Sequence, residues 1–205
     1  MVAIIDYGAG NLRSVQKAFA HIGAAAKITN QKEEILSADH VILPGVGAFG
    51  DCMNGIHTHR LDDCIHQVIE NGTPFLGICL GLQLLFEGSD ETPDVKGLGV
   101  LAGNIKKIPN HEGLKIPHMG WNSISIQPDS RLFANLPAEP FVYFVHSYYM
   151  VPKDPSIISA VTTYGSTLPI ALERENLFAT QFHPEKSGET GLQILKNFIH
   201  TGRTK

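Results

Sequence analysis

Cys79 sits in the run Gly77-Ile78-Cys79-Leu80-Gly81, with a glycine two residues to either side of a thiol. That is the spacing of a nucleophile elbow, with cysteine in place of serine. The physical demand is steric, because a sharp strand-to-helix turn leaves no room for a Cβ two positions away. Such a turn presents the sulfur at the carboxyl end of a strand, and the N-terminus of the following helix favours an anion there. A free thiol with a pKa near 8.5 is only ~3% thiolate at pH 7. Half ionisation therefore needs a downward shift of about 1.5, or about 2 kcal/mol. A free cysteine is most often a buried structural residue. The glycine frame separates Cys79 from Cys52 and Cys64, which have none.

A thiol nucleophile needs a base, and Phe182-His183-Pro184-Glu185 closes a strand-like run near the C-terminus. Residues two apart on an extended backbone project to the same side. His183 can then act as base while Glu185 orients it and holds its tautomer. Isolated His-x-Glu triplets are usually solvated pairs at strand ends; a cysteine elbow in the same chain gives this one its meaning. Acyl chemistry also needs an oxyanion hole. The amide of Leu80, next after the nucleophile, is one expected donor. The Pro44-Gly45-Val46-Gly47 turn can supply another, and each such donor is worth about 2.7–4 kcal/mol.

The elements that must position these groups follow from hydrophobic periodicity. Val2–Ile5, Ala24–Ile28, His40–Leu43 and Pro74–Ile78 read as buried strands. Leu12–Ile22, Lys32–Leu36, Ile56–Ile69 and Leu80–Phe86 read as helices between or after them. This alternation predicts an α/β fold, an open and mostly parallel sheet flanked by helices, with ligands bound beyond the carboxyl ends of its strands. The second half reads differently. Val100–Ile108, Trp121–Ile126, Phe141–Val145, Ile157–Thr163, Leu168–Leu172 and Phe178–Phe182 are strand-like and predict an antiparallel extension, closed by a helix over Gly191–His200. The polar stretch Gly88–Gly97 has no periodicity and is expected to be a mobile surface loop.

Composition bounds the function. The 205 residues suit one domain, 1–205, and 43% hydrophobic content supplies a sizeable core. A net charge of −4 lacks the basic excess that nucleic-acid binding requires. Three cysteines make no disulfide scaffold and suit a reducing compartment. No signal peptide or membrane-length apolar run is visible, so a cytoplasmic location is expected.

Two other motifs are weaker. Tyr7-Gly8-Ala9-Gly10-Asn11 imitates the start of a dinucleotide fingerprint, but Arg13 stands where the third glycine belongs, and Glu33 and Glu34 are a poor rescue. Cys52, His59 and His66 recur every seven residues, as do His57 and Cys64, on what reads as one helix. Seven residues rise about 10 Å along a helix, too far for neighbouring ligands of one metal ion. No metal site is expected.

Taken together, Gly77–Gln83 (GICLGLQ) and Phe182–Ser187 (FHPEKS) resemble the class I, or triad, glutamine amidotransferases. Within that family the chain is similar to glutaminase subunits of imidazole glycerol phosphate synthase. This similarity is carried by Ile5–Val15 (IDYGAGNLRSV), Leu43–Met53 (LPGVGAFGDCM), Pro117–Asn122 (PHMGWN) and Tyr143–Tyr149 (YFVHSYY), blocks that span nearly the whole chain. The resemblance implies a flavodoxin-like fold, with Cys79 as nucleophile, His183 as base and acid, and Glu185 orienting it. It further implies that Gln83, Ser147 and Tyr148 hold the amino-acid end of glutamine, and that the Val46–Gly47 peptide, which need not be oriented at rest, completes the oxyanion hole with Leu80. Ser147 replaces a threonine common in the family and keeps the hydroxyl. The implied reaction is glutamine hydrolysis through a γ-glutamyl thioester, with no metal or organic cofactor. The ammonia goes to a (β/α)₈-barrel cyclase in a heterodimer, and Met119, Trp121, Tyr143 and Lys186 match partner-facing positions. The pyridoxal phosphate and anthranilate synthase glutaminases are the nearest rivals. A related cysteine peptidase, or a non-catalytic flavodoxin-like interaction module, would belong to another class.

Overall fold

A computed structural model describes residues 1–203 of the chain. The first half winds through β1 (Val2–Ile5), α1 (Leu12–His21), β2 (Ala26–Thr29), α2 (Lys32–Leu36) and β3 (His40–Gly45). It continues through α3 (Phe49–Thr58), α4 (Asp62–Glu70), β4 (Phe75–Cys79) and the short α5 (Leu80–Gln83). The second half holds β5 (Gly88–Ser89), β6 (Gly103–Lys107), β7 (His118–Ser123), β8 (Ser125–Ile126), β9 (Phe141–His146) and β10 (Tyr148–Pro152). It ends with β11 (Ile158–Tyr164), β12 (Ser166–Arg174), β13 (Leu177–Thr180) and α6 (Gly188–Ile199).

Eight strands form the central sheet in the order β2-β1-β3-β4-β13-β12-β11-β8. The first five are parallel, an order that matches the flavodoxin-like doubly wound pattern, and the last three add an antiparallel wing. The strand expected at Phe178–Phe182 is β13, which lies parallel to β4 in the middle of the sheet and not in the antiparallel extension. All four of its residues are buried, as a central strand covered on both faces requires.

Alternation along the strands sorts the core into two layers. Ala3 and Ile5 face one side with Ile35 of α2, Met53 and Ile56 of α3 and Ile65 of α4. Val2 and Ile4 face the other with Val15 and Phe19 of α1 and Ile194 and Phe198 of α6. Two smaller sheets cap the site end. The three-stranded sheet β10-β6-β5 joins the first layer, and the ribbon β7-β9 lies over the second.

Three expectations need correction. The helix expected over Ile56–Ile69 is two helices. Arg60 turns to φ 55°, the Leu61 N–H bonds to the Ile56 carbonyl and the Arg60 N–H to the His57 carbonyl. This is a Schellman stop in which arginine takes the left-handed place usually given to glycine. Burial of Leu61 holds it there. The helix expected over Leu80–Phe86 ends at Gln83, because the Leu98, Gly99 and Leu101 amides take the carbonyls of Leu84, Phe86 and Leu85. The stretch Gly88–Gly97 is tied down rather than free. Gly88–Ser89 pairs with β6, and the Glu91 carboxylate accepts the Phe49 N–H at 2.8 Å. The strand β10 was not foreseen at all. No helix among the described residues is long and apolar enough to cross a membrane.

Candidate active site

Cys79 is the last residue of β4 and adopts φ 56°, ψ −109°. A non-glycine residue with positive φ is uncommon and strained. The strain is maintained by packing on both sides. A Cβ on Gly77 would lie 2.8 Å from the Gly81 carbonyl oxygen, and one on Gly81 would lie 1.8 Å from that of Leu43. Neither position accepts a side chain, so the elbow frame is a steric requirement of this turn. The helix that follows has only four residues, so its dipole is weaker than the sequence reading assumed.

His183 follows β13, the strand beside β4, so thiol and imidazole emerge from neighbouring parallel strands at the same end of the sheet. The His183 Nδ1 lies 2.9 Å from Glu185 Oε1, with both side chains almost completely buried. The backbone between them is not extended as expected. Pro184–Lys186 is a 3₁₀ turn, and it is this turn that brings the carboxylate back to the ring. Ser187 locks the turn by donating its hydroxyl to the His183 carbonyl at 2.6 Å.

The other ring nitrogen, Nε2, is buried without a full hydrogen bond and is the atom left to serve the sulfur. Burial alone would make His183 a weaker base. The Cys79 sulfur and the Glu185 carboxylate outweigh it, raising the pKa to about 9. By contrast, burial pushes the thiols of Cys52 and Cys64 upward, which suits inert core positions.

A cleft of about 310 Å³ opens over Cys79, at the small end of the usual range for ligand sites. Val46, Gly47, Leu80, Gln83, Ser147, Tyr148 and His183 all line it, while Glu185 stands behind His183. Gln83 donates its amide to Gln181 Oε1 at 3.0 Å and to the Tyr148 carbonyl at 3.4 Å. Gln181 Nε2 in turn lies 3.7 Å from Cys79 Sγ.

Gln181 and Glu91 were missed from sequence. The first carries a signal in hindsight, as a fully buried polar residue in the apolar run Leu177–Phe182. The second sits in an aperiodic polar stretch with none. Outside the cleft, Met119 and Trp121 are exposed on β7, Trp121 pairs with Tyr143, and Lys186 Nζ lies 5.9 Å from the Tyr143 ring centre. The four expected partner-facing residues are thus grouped at the ribbon and the 3₁₀ turn.

The His/Cys stripe does not converge. It is divided among α3, the turn that holds His59 and α4, and no group of three or more candidate metal ligands occurs among the described residues. The Gly8–Gly10 turn follows β1 and packs on Pro44, but it does not line the cleft.

The chain is 52% identical over 200 residues to the imidazole glycerol phosphate synthase subunit HisH of Thermosynechococcus vestitus, covering 97% of this chain and 95% of that one. The HisH subunit of Syntrophotalea carbinolica is 50% identical over 203 residues, covering 97% and 98%. Among solved structures, that of PurLQS from Thermotoga maritima superposes with a TM-score of 0.74 at 20% identity, covering 97% of this chain and 96% of the other. At that identity it speaks for the fold alone. The family model for glutamine amidotransferase class-I matches residues 3–201, and the chain belongs to that family.

Proposed function

We propose that this chain is the glutaminase subunit of an imidazole glycerol phosphate synthase, hydrolysing glutamine in the cleft over Cys79. The observation that carries the reading is the buried His183–Glu185 pair set beside a thiol on a strained turn. With His183 protonated and Cys79 as thiolate, the sulfur attacks the side-chain amide carbon of glutamine. The developing oxyanion is received by the Leu80 amide and by the Val46–Gly47 peptide. His183 gives its proton from Nε2 to the leaving nitrogen, and ammonia departs from a γ-glutamyl thioester. Neutral His183 then takes a proton from water, whose oxygen attacks the thioester, and glutamate leaves with the thiolate restored.

Glu185 keeps the imidazole in the orientation that serves both half-reactions. Gln83, Ser147 and Tyr148 line the part of the cleft assigned to the amino-acid end. Glu91, the one carboxylate among the described residues lining the cleft, complements the α-ammonium group. All of this chemistry belongs to side chains and backbone.

Residues 1–205 work as one amidotransferase domain of a cytoplasmic enzyme with a partner subunit, a (β/α)₈-barrel cyclase in a heterodimer. That partner consumes the ammonia to make imidazole glycerol phosphate and an aminoimidazole carboxamide ribonucleotide in histidine biosynthesis. The exposed Met119, Trp121 and Lys186, with the half-buried Tyr143 between them, form the docking face. Glutamate release is measured with the chain alone and with the cyclase carrying its nucleotide ligand. Release that rises sharply with the cyclase supports the assignment. Release indifferent to it would move the chain to another synthase, such as a pyridoxal phosphate or anthranilate one. No release in either case would overturn glutaminase activity.

A further inference from the structure

Two buried histidines play no part in the chemistry above. His118, on β7, and His146, the last residue of β9, are 3% and 5% exposed and meet through His118 Nδ1 and His146 Nε2 at 3.0 Å. His118 is held between two rings, stacked at 4.6 Å on Phe144 and 4.0 Å on Tyr164. Packing therefore fixes its plane before any hydrogen bond forms.

Both ends of the pair have a defined polarity. At one end His146 Nδ1 lies 2.8 Å from the Tyr148 carbonyl. A carbonyl only accepts, so Nδ1 carries the proton and Nε2 is the acceptor. At the other end Asn122 accepts the Ser123 N–H on Oδ1 at 2.9 Å, which fixes its amide group. Its Nδ2 donates to the Thr163 carbonyl at 3.0 Å and lies 3.4 Å from His118 Nε2. His118 Nε2 is therefore an acceptor and Nδ1 a donor, aimed at the acceptor nitrogen of His146. The two deductions start from opposite ends and agree.

We infer that Asn122, His118 and His146 form a one-way hydrogen-bond relay that positions the Ser147–Tyr148 backbone for the amino-acid end of glutamine, which makes the two histidines positioning residues for substrate binding. The Tyr148 carbonyl is the point of convergence. His146 holds it from one side and Gln83 from the other, and Gln83 continues through Gln181 to Cys79 Sγ. The orientation of the peptide that faces the substrate is thereby tied to the nucleophile.

The relay works only with both rings neutral. A proton added to His118 Nε2 would confront the Asn122 amide, and one added to His146 Nε2 would confront the His118 N–H. Burial also opposes the charge, lowering the pKa of His118 to about 4 and that of His146 to about 3; the His146 value is also lowered by His118 and His183. The Tyr164 ring stacks on His118, and Tyr148 reaches His146 through its carbonyl, its own phenol being pushed upward by burial.

The inference rests on the glutaminase reading, and the test separates the two. Imidazole ¹⁵N spectra of the chain labelled at histidine are expected to show both His118 and His146 protonated at Nδ1, with no titration between pH 5 and 8. An Nε2–H form, or titration near pH 6.5, at either ring overturns the relay whatever the activity. In the complex with the cyclase, His118→Phe removes the donor and is expected to raise the glutamine KM about tenfold with kcat within about twofold. His118→Asn, which keeps an N–H near the Nδ1 position, is expected to recover most of that loss. Asn122→Asp, isosteric and on an only half-buried site, would break the relay at His118, favouring its Nε2–H form and setting its bare Nδ1 against the acceptor nitrogen of His146, with a similar rise in KM. Unchanged KM in His118→Phe and Asn122→Asp, or loss in kcat alone, overturns the positioning role. A parent complex that turns over no glutamine would count against the glutaminase reading, while the tautomers would still decide the relay.

Discussion

The carboxyl ends of adjacent strands in the central sheet are built to different standards. At β4 and β13 the proposed nucleophile and base are immobilised. Gly77 and Gly81 leave no space for a methyl group, and His183 and Glu185 are buried to within 2% of full burial. At β3 the chain runs out into Val46, 39% exposed, and Gly47, whose φ is +109° with nothing within 4 Å of a Cβ placed on it. Proton transfer and attack are thus organised in advance, and the peptide proposed to receive the oxyanion is the loosely held part. An amidotransferase that hydrolysed glutamine without an acceptor would waste it. A site whose loosest element is a stabilising group, with the nucleophile itself intact, can be governed without dismantling its chemistry.

The comparison can be broken most forcefully at the rigid side. Cys79→Ser is expected to reduce glutamate release by on the order of 10⁴-fold or more while leaving the fold and partner binding intact, checked by turnover and by co-elution with the cyclase. Substantial residual turnover would remove Cys79 from the mechanism. Glu185→Gln should cost about 10²–10⁴-fold, because the imidazole loses its orienting charge. It should also shift the pH profile. The parent His183 keeps its proton up to about pH 9, so its acid-dependent activity declines as pH rises through that value. Without the Glu185 carboxylate the same decline begins at lower pH. A kcat–pH curve superimposable on that of the parent would contradict this.

Two glycine substitutions sharpen the contrast further. Gly81→Ala places a methyl group 1.8 Å from a backbone carbonyl and is expected to destabilise the fold by about 3 kcal/mol, lowering Tm by roughly 10 °C. Gly47→Ala meets no atom but opposes the positive φ. It should lower glutaminase activity about tenfold and Tm by less than about 3 °C. Calorimetry and turnover on the same samples check both. Equal Tm losses would mean that the two strand ends are not held differently after all.

What could be read from the sequence was what short segments decide. The elbow was legible because its constraint is local: Gly77 and Gly81 serve a turn five residues long. The parallel half of the sheet was legible from apolar runs of strand length. The break between α3 and α4 was not, because Arg60 occupies a conformation that glycine normally advertises. Nor was the central position of β13, since strand order depends on pairing between Leu177 and Phe75, a hundred residues apart. In the site, His183 and Glu185 were recognisable as a pair, although the 3₁₀ turn that joins them was not. Gln181, Glu91 and the His118–His146 contact depend on segments meeting across the fold, and spacing says nothing about them.

The placement of β13 also has a consequence in time. The sheet's central strand, and the base proposed to follow it, lie about a hundred residues beyond β4 and its thiol, which are made first. A growing chain emerging from the ribosome therefore carries its nucleophile without its base, and a sheet with an open seam between β4 and β12. Closing that seam and completing the proposed triad are the same event, so the site is assembled only when β13 takes its place.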